Sequence, residues 1–101
     1  MNILLTCCMG ASTSIIAEKM MIEAKNQGKE YRVWAVDQSE VSGLIGSFDV
    51  LLLGPQVRHM QKKLEKIVGD NAPVGLMSPI DYGRCNVKAI LEQAEKMYNI
   101  R

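Results

Sequence analysis

Asn2-Ile3-Leu4-Leu5-Thr6-Cys7-Cys8-Met9-Gly10-Ala11-Ser12-Thr13-Ser14 begins as an apolar run and stops in a loop of small and hydroxylated residues. The run Asn2–Thr6 has the length and composition of a strand buried on both faces, and the loop after it has turn chemistry. Beyond the loop, Ile16, Met20 and Ala24 fall at i, i+4 and i+8 on one face of a helix, and Gly28 stands where a helix C-cap glycine belongs. The opening unit is therefore a strand, a small-residue turn and a helix.

The same unit recurs along the chain. Tyr31–Val36 is β-branched and aromatic and closes at Asp37-Gln38-Ser39; Phe48–Leu53 and Val74–Met77 are further buried-strand runs, bounded by Gly54-Pro55, by Pro73 and by Ser78-Pro79. Val57, Met60, Leu64 and Ile67 predict a helix after Pro55, with Lys62, Lys63 and Lys66 on its solvated face. Val87, Ile90, Leu91, Ala94 and Met97 predict an amphipathic helix, and Val41, Leu44 and Ile45 a shorter one between Gly43 and Gly46. Near-continuous apolar strands alternating with helices predict an α/β fold, an open, doubly wound, four-stranded parallel sheet flanked by helices. In such sheets ligands sit beyond the carboxyl ends of the strands. That edge comprises Cys7–Ser14, Asp37–Ser39, Gly54–Arg58 and Ser78–Arg84.

Composition narrows the function classes. With 101 residues the chain has room for one domain, spanning 1–101, and 48% hydrophobic against 23% charged residues excludes a disordered segment. Twelve Lys+Arg against eleven Asp+Glu leave a net charge of +1, with no basic excess to hold nucleic acid. No apolar run is long enough to span a bilayer, and a strand begins where a secretory leader would stand. Three cysteines, two of them adjacent, make no disulfide framework and predict a reducing, cytoplasmic setting. His59 is the only histidine, so neither a metal site nor a cofactor is expected.

The first loop carries the chemistry. Its residues Cys8, Met9, Gly10, Ala11, Ser12, Thr13 and Ser14 include no acidic side chain, and such a loop can turn successive N–H groups inward as an anion-holding nest at a helix N-terminus. The helix dipole favours an anion there by about 0.3–1 kcal/mol, and the three hydroxyls add donors. Cys7, at the mouth of this nest, is placed to act as a nucleophile toward a phosphoryl group. The hydroxyls also suit the start of a helix, a use compatible with phosphate binding. The Gly-x-x-x-x-Gly-Lys-Ser/Thr pattern of a nucleotide loop is missing, as is a Cys-x-x-Cys pair. Cys8 and Cys85 are expected to be chemically idle, and His59 to be a surface residue. Gln56, Arg58, Asp81 and Tyr82 lie on the same edge, where contact with the phosphoryl group or a partner and simple solvation both remain open.

Cys7-Cys8-Met9-Gly10-Ala11-Ser12-Thr13-Ser14 resembles, in full, the Cys-x-x-Gly-x-Ser-Thr-Ser loop of the soluble IIB subunits of the bacterial sugar phosphotransferase system, lactose/cellobiose (chitobiose) branch. The resemblance continues through Asp49–Val57, Pro73-Val74 and Tyr82-Gly83 to the closing helix. It departs at Arg84-Cys85-Asn86, where many relatives carry an Asp-Gly turn. It implies a fold like that of the low-molecular-weight tyrosine phosphatases, with Cys7 as the phosphocysteine and Cys8 through Ser14 around its phosphoryl group. The donor it implies is a phosphohistidine on a IIA protein, and the acceptor a sugar held by a IIC membrane transporter. The rival reading is a phosphatase of that low-molecular-weight class, whose loop is Cys-x-x-x-x-x-Arg-Ser/Thr. Thr13 stands at its arginine position, so the fork that clamps a phosphate in flight is absent. Turnover of p-nitrophenyl phosphate separates the two.

Overall fold

Four apolar segments form one sheet: β1 (Asn2–Cys7), β2 (Arg32–Asp37), β3 (Val50–Leu53) and β4 (Val74–Leu76). The computed structural model describes residues 1–7 and 11–99, the side chains of Ala11 and Ser12 excepted. The strand order is β2-β1-β3-β4 and every pairing is parallel, with Leu5 opposite Ala35 on one side and Leu52 on the other. β1 is interior, which is why Ile3 to Cys7 are all buried.

Side chains alternate across the sheet with period two. Ile3, Leu5, Val33, Val50 and Leu52 pack with Ile16, Ala17, Met20 and Ala24 of α1 (Ala11–Asn26). Ile90, Leu91 and Ala94 of the last helix, Val87–Asn99, complete that layer. Leu4, Leu51 and Leu53 pack on the opposite face with Val41, Val57, Leu64 and Val68. One sheet thus separates two cores, the doubly wound arrangement expected from the alternation. α1 closes as its sequence predicts. Gly28, at φ +76°, donates to the Lys25 carbonyl at 3.0 Å, and Lys29 donates to the Ala24 carbonyl at 2.8 Å, the paired bonds of a Schellman cap.

Three expectations change. Val41 and Leu44 lie in a 3-10 helix, Gln38–Leu44, that ends before Ile45 and is entered through a capping box in which Asp37 accepts from Ser39 and Glu40 from Asp37. The helix expected from Val57 to Ile67 is a 3-10 segment, Pro55–Met60, and only then α2 (Gln61–Val68); Val57, at φ −115°, breaks the regular path. The stripe rotates accordingly, leaving Ile67 39% exposed while Val68 is buried. Finally, Ser78-Pro79 opens a short helix, α3 (Pro79–Gly83), whose cap is Ser78 Oγ accepting from Asp81 N–H. The closing helix is therefore α4 (Val87–Asn99).

The edge opposite the loop holds an ionic cluster. Glu95 on α4 accepts from Lys29 Nζ and from the Tyr31 hydroxyl, each at 2.6 Å. Burial raises the Glu95 carboxyl, but those two bonds and the Lys29 charge outweigh it and hold the group below its usual range. Burial first, then the bond and charge of Glu95, push the Tyr31 phenol from 10.0 up to about 12. The lowered carboxyl stabilises the fold above the ordinary carboxylate range, and that contribution disappears as pH falls through its folded value. The raised phenol contributes fully below pH 10.0, and its contribution is lost as pH climbs to about 12. Glu95→Gln should bring the phenolic titration, followed by ultraviolet absorbance, back toward its ordinary value. An unmoved titration would show that Glu95 does not control it.

Candidate functional site at the carboxyl edge

Cys7 is the last residue of β1 and is 4% exposed. Two bonds fix the strand just before it. The Thr6 hydroxyl, wholly buried, donates to the Val36 carbonyl at 2.9 Å, and the Gly54 N–H donates to the Thr6 carbonyl at 2.8 Å. Both flanking strands are thereby locked to β1 at the point where the chain turns out of the sheet.

Gly54 has φ −66° and ψ 152°, a conformation open to any residue. What sets the position apart is how little space surrounds it. A Cβ there would stand 3.3 Å from the Cys7 Cβ and 2.8 Å from Gln56 Oε1. Gln56 follows Pro55, at the start of the 3-10 segment, and its side chain folds back toward the end of β1. Arg58 and His59 are exposed farther along the same segment.

α1 starts at Ala11, and its first turn carries no acidic side chain to compete for its N–H groups. Thr13 is wholly buried, with Oγ1 3.2 Å from the Tyr82 hydroxyl on α3, while Ser14 is exposed. Position 13, where the phosphatase loop would carry arginine, thus points inward at a tyrosine. Of the other loop residues, Cys8, Met9 and Gly10 lie outside the described residues, and Ala11 and Ser12 are described only as helix. Asp37 lies opposite Cys7 in the β1–β2 register. The Ser39 hydroxyl and then its N–H hold the Asp37 carboxyl below its usual range, so it stays ionised and engaged with its own helix. Asp81 accepts from the Asn86 side chain at 3.4 Å. Cys85, at φ +53°, packs against the core between the sheet and α4. Among the described residues no group of three His, Cys, Asp or Glu could hold a metal ion.

The structure adds two residues to those that the sequence singled out. Thr6 looked like an ordinary strand end, although a hydroxyl in an apolar strand must find a partner if buried. Gly54 had a readable signal, a lone glycine between a buried strand and a proline at the ligand edge.

Comparison with known proteins decides the family. Residues 2–93 match the model of the lactose/cellobiose-specific IIB subunit of the phosphotransferase system. The chain belongs to that family. It is a phosphoryl-transferring subunit and a transferase. An oligo-beta-mannoside-specific EIIB component of Bacillus subtilis is 34% identical, over 92% of this chain and 91% of its own. A cellobiose-specific EIIB component of Lactococcus lactis is 33% identical, over 96% and 95%. The solution structure of a cellobiose-specific IIB component from Borrelia burgdorferi superposes with a TM-score of 0.81 at 35% identity, covering 98% of this chain and 92% of that one. A lactose-specific IIB domain from Streptococcus pneumoniae reaches the same TM-score at 16% identity, covering 97% of each chain, and so shares the fold. Among the described residues of this IIB-family chain no helix is long and apolar enough to cross a membrane.

Proposed function

We propose that Cys7 carries the phosphoryl group, in one carrier domain spanning residues 1–101, and that Cys8 to Ser14 hold the phosphate oxygens. The observation behind this reading is the placement of Cys7. It ends a locked central strand four positions before a helix whose first turn carries no carboxylate. An anion on its sulfur meets the positive end of that helix. Phosphate arrives from a phosphohistidine of a IIA protein and leaves to a sugar of the lactose, cellobiose or chitobiose type held by a IIC transporter, in the cytoplasm. Catalysis here is positioning plus charge stabilisation.

Intact-protein mass spectrometry with a reconstituted phosphohistidine donor tests the reading. One phosphoryl group should appear and map to Cys7. Cys8→Ser and Cys85→Ser should each accept it as the parent chain does, because Cys85 is partly buried against the core and Cys8 contributes chiefly its backbone. Loss of labelling in either variant, with the circular dichroism spectrum unchanged, would reassign the acceptor.

A further inference from the structure

We propose that Gln56 is a catalytic residue of this relay, donating a side-chain amide hydrogen bond to the phosphoryl group on Cys7 from its place beside Gly54. The proposal rests on the reading of Cys7 as the phosphocysteine. Its own footing is the geometry at Gly54. The point where a Cβ would sit lies 2.8 Å from the Gln56 carboxamide oxygen, 3.3 Å from the Cys7 Cβ and 3.5 Å from the Thr6 carbonyl oxygen. The Gln56 terminal group and Cys7 therefore both border one point beside Gly54, where the backbone carries no side chain. A phosphoryl group on Sγ lengthens the Cys7 side chain by a P–S and a P–O bond, a reach sufficient to meet the Gln56 carboxamide. A half-turn of the carboxamide presents its NH2 in place of its oxygen.

The chemistry suits a neutral donor. In the first step the P–N bond of the phosphohistidine breaks as the P–S bond forms. Its electron pair stays on the imidazole nitrogen, which takes up the proton the Cys7 thiol gives up. In the second step the P–S bond breaks as a P–O bond to the sugar hydroxyl forms, and that hydroxyl's proton returns to the sulfur. Gln56 exchanges no proton in either step. It steadies the phosphoryl oxygens in both directions without the fixed cation that would retain them, and Cys7 to Ser14 contain no Lys or Arg to do so.

Gln56 is exposed, so its variants should fold. The full chain, labelled with nitrogen-15 and phosphorylated by a reconstituted phosphohistidine donor, should show the Gln56 side-chain amide resonances shifting when Cys7 is phosphorylated. Gln56→Ala should slow acceptance about 100-fold, the low end for losing one oxyanion donor, and Gln56→Glu should slow it further by repulsion. Gly54→Ala pushes the flexible end of Gln56 aside and should match Gln56→Ala. The double variant should then be no slower than either single, because both changes remove one interaction. An unshifted amide, a Gln56→Ala rate indistinguishable from the parent, or additive effects of the two changes would overturn the proposal. If the parent chain takes no phosphate on Cys7, the phosphocysteine reading fails first and this proposal fails with it.

Discussion

Cys7→Ser is expected to abolish phosphoryl transfer and leave the fold standing. The substitution keeps size and shape at a residue 4% exposed, and the bonds that lock β1 beside it come from Thr6 and Gly54. What is lost is the proposed nucleophile. A serine hydroxyl is scarcely ionised at neutral pH and needs a neighbouring base. The titratable group nearest in register, Asp37, is occupied by Ser39. The parent adduct should survive acid that removes phosphate from histidine, and should be cleaved by iodine, as expected for phosphorus on sulfur. Intact mass and peptide mapping read both properties. Phosphate on His59, or retained in Cys7→Ser, would refute the assignment.

Leu52→Ala should be strongly destabilising, costing about 2–5 kcal/mol. Leu52 is wholly buried, sits between Leu5 and Gly75 in the sheet, and faces the α1 and α4 layer. A domain of this size has about 5–15 kcal/mol in total, so the variant should melt far below the parent. A chemical-denaturation midpoint close to the parent's would mean that the layer refills the cavity.

The sheet and its long helices were legible because apolar runs and the i, i+4 pattern report burial directly, as at Ile3-Leu4-Leu5 and at Ile16, Met20 and Ala24. The segment after Pro55 was not. Its apolar spacing fits an α-helix, yet the turn out of β3 tightens the backbone into 3-10 geometry, and no local residue announces that. The five residues of α3 hold too little periodicity to announce a helix. At the site, the loop residues stood out by composition. The contacts between Thr13 and Tyr82, and between Gly54 and Gln56, join parts of the chain that only the folded sheet brings together or bends back.

The strand order has a consequence for how the protein is made. β1 is synthesised first yet lies in the interior of the sheet, between β2 and β3. Until Leu53 has emerged from the ribosome, Ile3, Leu4 and Leu5 lack one of their two flanking strands. A growing chain therefore carries this apolar segment without its full cover through the first half of translation, a state in which apolar segments of neighbouring nascent chains can pair. The cysteine is likewise left without its Gly54 neighbour for the same interval. Burial of the first strand and the meeting of Cys7 with Gly54 are thus completed together, when β3 docks.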